Sequence, residues 1–394
     1  MNSSAMLKSL WTKKFQKRCR WQIWQKSAGR KSERKREDEI AQLTTKETGR
    51  AITESRAMIN GQLAKMKWFM DNVEFALADK ITYEDEELVY KIVYEPIGVT
   101  AVITPWNFPF GMFVWGTFPN LLVGNPVVFK ISEECPLTGK LIEEVMLAYE
   151  LPQGVFSEVY GAGDIGWKLV NEKIDLIWFT GSTKIGQQLY KLAGEKFIKA
   201  ILELGGSNPG VVFEDVDIPK ILGKIYNKRF KLCGQTCDAL KRLIVHCSIF
   251  DELVEALKKE MEAKIVGEGE NLETEMGSLV AERQLHLLES QVEDAICKGA
   301  KVFVGGRFAE NVKGAYYLPT LLTNVSKDMR VWNEEVFGPV LPIVFFETEE
   351  EAINLANDTI YGLGSVIFSK DIERAKRVAF KIDFGTVEIN SAIH

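Results

Sequence analysis

Two spacings of apolar residues alternate along the chain. Apolar positions recur at helical intervals through residues 39–43 and 52–78, which predicts two helices. Between 81 and 93 the spacing falls to two, with Tyr83, Leu88, Tyr90 and Ile92 in alternation, so a β-hairpin is expected. Short apolar runs follow at 98–103, 127–130, 156–160, 176–179 and 199–204. The first stops at Pro105, which has no N–H to give to a ladder. Helical stretches lie between them at 136–148, with Ser132 or Glu133 near its entry, at 165–170 and at 185–193. The second half continues with helices at 218–230, 251–263, 285–298, 349–357 and 372–380, and strands at 243–245, 302–304, 341–345 and 364–368. Strands alternating with helices of this length predict an α/β fold, a parallel sheet covered on both faces.

Composition narrows the classes. A chain of 394 residues, 46% of them hydrophobic, is too long for one core and predicts two or more domains, with the best boundary just after Gly205-Gly206. No apolar run approaches the ~18 residues of a membrane span. A net charge of −6 argues against nucleic acid as the main partner. The six cysteines are scattered, and the only close pair, Cys233 and Cys237, has neither a zinc-ribbon nor a thioredoxin spacing. No apolar segment of a signal peptide follows the N-terminal charges, so a reducing cytoplasm is expected. Only three histidines are present, so neither a His-dependent triad nor a His-rich metal site is expected, and a carboxylate is the better candidate for a base. Residues 1–36 stand apart: twelve Lys or Arg face Glu33 alone, interleaved with Trp11, Trp21 and Trp24. A nucleic-acid or membrane arm, a targeting peptide and a solvated helix all fit, and charge runs are usually the last.

Candidate chemistry centres on Cys237, after a Gly234-Gln235-Thr236 turn and before an apolar run. It is either a small buried hydrophobe or a nucleophile presented to a cleft. A nucleophilic thiol, with a pKa of ~8.5 when free, needs an activator. Addition to a carbonyl also needs donors for the oxyanion. The Cys237 N–H can be one donor. Asn107 is a candidate second, held in the stiff segment Thr104-Pro105-Trp106-Asn107-Phe108-Pro109, though a turn asparagine is the plainer reading. Glu203, closing a strand before Leu204-Gly205-Gly206, is either a base with a raised pKa or an edge-strand glutamate in water. Phe179-Thr180-Gly181-Ser182-Thr183 places small residues at a strand-to-helix turn, where free N–H groups suit a phosphate. Lys130 could sit near a ribose or phosphate, and Glu133 could accept from ribose hydroxyls. Gly161, Gly163 and Gly166 form a further turn that tight geometry alone would explain.

Taken together, these segments resemble the aldehyde dehydrogenase superfamily. Six stretches carry the resemblance, in the family's order and at closely similar spacing: Pro105–Pro109, Lys130–Glu133, Phe179–Thr183, Glu203–Gly206, Gly234–Cys237 and Glu334–Pro339. They cover about residues 37–390. The resemblance implies a Rossmann-type cofactor domain (1–79 and 97–205), an oligomerisation ribbon (80–96) and an α/β catalytic domain (206–394). It implies that Cys237 attacks the aldehyde, that Asn107 and the Cys237 N–H hold the oxyanion, and that hydride passes to the nicotinamide to leave a thioester. Glu203 would then activate the water that releases the carboxylic acid. Thr104, Pro105, Trp106, Gly163, Phe179, Gly181 and Leu204 would line the cofactor. Lys130 and Glu133 would hold its adenine-side ribose, Ser182 its pyrophosphate, and Glu335 with Phe337 the nicotinamide ribose and ring. The Glu133 carboxylate would repel a 2′-phosphate and favour NAD, while Lys130 leaves NADP open. A small aldehyde, in the style of the succinate-semialdehyde, lactaldehyde and glyceraldehyde branch, is the implied substrate, and a dimer or tetramer the implied assembly.

Three departures qualify this expectation. The chain ends before the family's Pro-Phe-Gly-Gly loop and last strand, and residues 1–36 match the family poorly, so truncation at both ends is expected. An inactive remnant that keeps the fold and binds nucleotide is the alternative reading. Relatives acting on acid semialdehydes often carry a basic residue where Trp115 stands. Trp115 with Met112 would therefore make an apolar pocket wall, which tells against an anionic substrate. Cys233 either packs or forms a disulfide with Cys237 on oxidation.

Overall fold

A computed structural model of the chain describes residues 31–149, 151–310 and 312–391. Most of the basic, Trp-bearing start thus lies outside the described residues. The chain forms two compact units. One holds the chain up to Glu47 with Ser55–Glu203; the other holds Thr48–Glu54 with the chain from Leu204 onward.

The helices Lys31–Thr48 and Ile52–Ala76, in the first unit apart from Thr48 and the turn Ile52–Glu54, precede an antiparallel ribbon of β1 (Lys80–Glu84) and β2 (Val89–Ile92). Every ribbon residue is exposed, and the Tyr83 and Tyr90 rings lie 5.7 Å apart across it. Five parallel strands follow: β3 (Thr100–Ile103), β4 (Val127–Lys130), β5 (Phe156–Val159), β6 (Leu176–Thr180) and β7 (Lys199–Glu203). Their order is β5-β4-β3-β6-β7. The chain therefore winds outward from β3 to β5, then returns to lay β6 on the other flank of β3. The carboxyl ends of β3 and β6 form the switch point where open α/β sheets bind ligands. The stretch after Asn107, which the apolar spacing leaves unassigned, is helical: Pro109–Met112, a wider π turn at Phe113–Thr117, then Phe118–Val123. Phe113 anchors it, edge-on to Phe129 of β4 at 5.5 Å and to Phe156 of β5 at 6.0 Å.

The helix Pro136–Leu147 starts just after Ser132 and Glu133, and neither of them caps it. Ser132 takes the Glu134 N–H instead of capping the helix. Glu47, from the first helix, accepts from the N–H groups of Leu137 (2.7 Å) and Thr138 (2.8 Å) and from the Thr138 hydroxyl (2.6 Å). With Cys135 at the cap position and Pro136 next, the helix has no capping side chain of its own. A carboxylate at this positive end serves instead.

The second unit holds seven strands: β8 (Asn208–Val212), β9 (Leu240–His246), β10 (Lys301–Val304), β11 (Thr320–Thr323), β12 (Val340–Phe346), β13 (Gly364–Phe368) and β14 (Thr386–Ile389). Their order is β10-β11-β12-β9-β8-β13-β14, parallel except between β10 and β11. Three of these, β8, β11 and β14, are absent from the apolar pattern. β8 contains Pro209, which argues against a central strand. A bulge between Asn208 and Pro209 accommodates the missing N–H, since Asn208 faces Leu240 while Pro209 faces Arg242. Among the described residues no helix is long and apolar enough to cross a membrane.

Replacing Glu47 with alanine leaves two N–H groups of the helix Pro136–Leu147 without their acceptor. We expect a loss of about 1–2 kcal/mol, read as a lowered urea midpoint of unfolding. A Glu47→Ala midpoint equal to wild type would show that water caps this helix equally well.

Candidate functional site

In the first unit, the residues singled out by the sequence share one edge of the sheet. Thr104 to Asn107 follow β3, Lys130 ends β4 with Glu133 just beyond, Gly163 follows β5, Phe179 lies in β6 with Gly181 and Ser182 just after it, and Glu203 ends β7. All lie at or beyond carboxyl ends. Main-chain bonds tie these ends together: Thr104 N–H donates to Lys130 O (3.1 Å) and Gly181 N–H to Glu203 O (3.0 Å). Trp106 and Asn107 are buried, which fits a stiff loop. Lys130 is also buried, donates to Ile131 O at 3.0 Å and stands 3.9 Å from the Glu133 carboxylate. Burial lowers its pKa. Ser182 caps the helix Thr183–Lys196, its hydroxyl accepting from Ile185 N–H at 3.4 Å. A second helix, Gly163–Asn171, starts at the same edge. Two positive helix ends therefore point to this side. Among the described residues, the hydroxyls of Thr104 and Thr180, at the ends of β3 and β6, are buried without a hydrogen-bond partner. Unsatisfied hydroxyls at a switch point suit a polar ligand.

Glu203 is exposed as a residue. Its surroundings still exclude enough water from the carboxyl to raise its pKa, burial being the cause. That is the direction a general base working near neutral pH requires.

In the second unit the grouping lies at the opposite kind of edge. Cys237 stands three residues before β9, Phe337 three before β12, and Leu204 four before β8, so these residues gather near amino ends. The loop ahead of Cys237 is strained: Leu232 and Cys233 have φ of 51° and 55°, a left-handed conformation unfavourable to side chains. Gly234 follows at φ 71°, and a Cβ there would collide with Gly338 O. Gln235 fixes the turn, donating to Leu232 O (3.1 Å) and Ser278 O (3.3 Å) and accepting from Val280 N–H (3.0 Å). The Glu54 carboxylate accepts from Leu232 N–H at 3.1 Å. Cys233 packs in the apolar core, and both it and Cys237 are free thiols.

Asn208 holds Cys237 in place. Its side-chain amide donates to the carbonyls of Cys237 (2.7 Å) and Ala239 (2.9 Å), and its Oδ1 accepts from Gly364 N–H (3.0 Å). Burial, then the Asp238 carboxylate, push the Cys237 thiol up to about 11, while Lys241 acts in the opposite direction. At neutral pH the sulfur is thus protonated, and it becomes a nucleophile only on losing that proton.

Apolar spacing and motifs passed over four residues: Asn208, Arg229, Lys241 and Arg242. Arg229 is wholly buried and donates to the carbonyls of Val336 (3.2 Å), Gly338 and Val340 (2.8 Å), which lie around Phe337. Lys241 is buried and pairs with Glu335. Arg242 donates to Ser207 O (3.0 Å), Ala356 O (2.8 Å) and Leu355 O (2.9 Å). A signal was present: Lys241-Arg242 lies inside the apolar run from Leu240 to Val245, where two buried charges demand partners.

Labelling of Cys237 by iodoacetamide in cofactor-free protein should rise about tenfold per pH unit from pH 7 to 10 without levelling, because only the thiolate reacts. Peptide-resolved mass spectrometry separates it from the exposed Cys247 and Cys297. A plateau below about pH 9 would show an activated thiolate instead.

The "Aldehyde dehydrogenase family" profile matches residues 4–394. The match takes in nearly all of the basic start, which motif comparison alone had set apart. Betaine aldehyde dehydrogenase of Bacillus subtilis is 38% identical over 358 residues, covering 90% of this chain and 73% of the relative. Succinate-semialdehyde dehydrogenase [NADP(+)] GabD of Escherichia coli is 34% identical over 359 residues, covering 91% and 74%. The crystal structure of betaine aldehyde dehydrogenase (betB) from Staphylococcus aureus in complex with NAD+ superposes with a TM-score of 0.89 at 36% identity, covering 96% of this chain and 74% of that one. With six collinear motifs, a matching profile and a matching fold, this chain belongs to the aldehyde dehydrogenase family.

Proposed function

We infer that this protein oxidises an aldehyde to the carboxylic acid with NAD+, and with NADP+ as a possible second cofactor. The observation that carries the cofactor half is the first unit's carboxyl edge, where two helix N-termini and the unsatisfied Thr104 and Thr180 hydroxyls surround a switch point. These residues fit a dinucleotide, which supplies the hydride acceptor when bound. Thr104, Pro105, Trp106, Gly163, Phe179 and Gly181 line it in this reading, and Ser182 meets its pyrophosphate. Lys130 and Glu133 take the adenine-side ribose, the Glu133 carboxylate disfavouring a 2′-phosphate. Leu204, Glu335 and Phe337 serve its nicotinamide end. The first unit is thus the cofactor domain and the second the catalytic domain.

Cys237 is the nucleophile in this proposal. Its thiol gives its proton to a water molecule, the sulfur adds to the aldehyde carbon, the oxyanion is held by the Cys237 N–H and the Asn107 amide, and transfer of the hydride to the bound dinucleotide leaves a thioester. Glu203 takes a proton from the water that hydrolyses it. The raised pKa of Glu203 supports that role.

The relatives differ in the charge of the substrates they are named for, and one contact favours the anionic side. The Lys65 ammonium stands 4.1 Å from the Trp115 ring centroid, and Trp115 Nε1 donates to Gln62 Oε1 at 2.8 Å. A free aromatic face could receive a quaternary ammonium, but a lysine already covers this one. With Trp115 as a pocket wall, Lys65 attracts a carboxylate tail and repels a cation. A semialdehyde fits best.

The exposed apolar residues of β1 and β2 support a homo-oligomer, a dimer or tetramer. The free thiols suit a reducing compartment, the basis for placing the protein in the cytoplasm.

Absorbance of the reduced cofactor, followed across a panel of aldehydes, tests the whole reading. Succinate semialdehyde should exceed betaine aldehyde in kcat/KM by at least about tenfold, and Lys65→Met should remove most of that difference. Cys237→Ala should abolish turnover. Glu203→Gln should give one rapid equivalent of reduced cofactor and then little more, as the thioester accumulates. A Cys237→Ala protein that still turns over would overturn the mechanism.

A further inference from the structure

The second unit holds a lysine that neither the apolar pattern nor the family motifs single out. Lys241 lies on β9, a central strand, and is 1% exposed. A lysine buried to this degree must place its ammonium protons on acceptors. One goes to Gly206 O at 2.8 Å and another to Glu335 Oε1, while the Phe337 ring centroid lies 5.0 Å away. The same Oε1 accepts from Gly206 N–H at 3.1 Å, so both of its lone pairs are engaged. Oε2 has no hydrogen bond among the described residues. It lies over Gly205, where a Cβ would collide with it. The result is a carboxylate clamped by one oxygen and offering the other.

We propose that Lys241 is a positioning residue for cofactor binding: it locks Glu335 with Oε2 free to accept from the vicinal hydroxyls of the nicotinamide ribose, and steadies Phe337 beside it. This rests on the reading that Glu335 takes that ribose. The charge of Lys241 is essential to it. An unpaired Glu335 carboxylate would turn toward water and lose its fixed orientation. The Gly206 N–H alone, at the end of a flexible Gly-Gly pair, offers one bond against a rotation that costs the carboxylate little. Lys241 adds a charge-assisted bond from a rigid central strand. The loop of Glu335 and the segment before β8 are thereby tied to one side chain.

The test is a double-mutant cycle on the full chain. NAD+ affinity is measured by isothermal titration for wild type, Lys241→Met, Glu335→Gln and the double variant, with AMP, which lacks the nicotinamide ribose, as control ligand. We expect each single change to weaken NAD+ about tenfold and the double change to weaken it no further, because the lysine acts through the carboxylate. AMP affinity should be unchanged throughout, and KM for NAD+ should rise more than kcat falls. If Glu335→Gln weakens NAD+ while Lys241→Met does not, the role of Lys241 is overturned and the ribose reading survives. If Glu335→Gln binds NAD+ as wild type does, the ribose reading fails and this role fails with it. Losses that multiply in the double variant would also overturn the proposal. Should Lys241→Met fail to fold with Glu335 left unpaired, the double variant removes that charge. Equal NAD+ affinity in the double variant and Glu335→Gln then supports the proposal, and a further tenfold loss refutes it.

Discussion

The buried guanidinium of Arg229 is the constraint on which the second unit's site depends. It is wholly enclosed and, among the described residues, forms no ion pair with a carboxylate; main-chain carbonyls of Val336, Gly338 and Val340 accept from its Nε and Nη2, while Nη1 has no partner there. Enclosing a charge without acceptors would cost several kcal/mol, so these carbonyls are obligatory partners. Burial still pulls its pKa down to about 9. The bonds fix the segment carrying Glu335 and Phe337 to the end of the helix Ile218–Phe230. The same helix end opens into the strained loop before Cys237, and Gly234 is glycine because that loop passes against Gly338. One cation therefore sets two segments that carry the proposed chemistry.

The direction of the chain explains why cations dominate here and backbone N–H groups dominate in the first unit. In a parallel sheet each crossover helix begins near the carboxyl edge and ends near the amino edge. The carboxyl edge thus meets positive helix ends, and the amino edge meets negative ones rich in unsatisfied carbonyls. Anion binding in the first unit can rely on backbone donors. At the amino edge of the second unit the counter-charge must come from side chains. Arg229, Lys241 and Arg242 supply it, each donating to at least one carbonyl. The thiol of Cys237 is buried beside that edge, and burial first, then the Asp238 carboxylate, raise its pKa. Lys241 lowers it and Glu335, its ion-pair partner, raises it.

Much of the architecture was legible because local signals were strong. The helix Ile218–Phe230 and the strand Gly364–Phe368 have the bounds that apolar spacing predicts. The strand Asn208–Val212 was hidden by Pro209. It forms because Asn208 supplies from its side chain the bonds that the ladder lacks at the bulge, reaching Cys237, Ala239 and Gly364. That compensation joins positions 29 and 31 residues away on one side and 156 on the other, beyond any window of periodicity. The Glu47 cap was hidden likewise, lying 90 residues before the helix it serves.

The same distinction separates the residues expected to act from those that hold them. Cys237, Asn107 and Glu203 stand at strand boundaries, and a boundary shows in sequence through the glycines and prolines around it. Their supports show no such mark. Lys241 and Arg242 read as two more charges among 49 basic residues, and Arg229 as the polar end of an amphipathic helix. Only the flanking run of apolar residues hints that they are enclosed. Read with the cost of burying a charge in mind, that run already demands acceptors. It could not say where they are, because the carbonyls that answer Arg229 lie 107 to 111 residues away and the carboxylate that answers Lys241 lies 94 away. A motif therefore locates the chemistry, and the long-range partners of buried cations determine whether it is held in a geometry that can act.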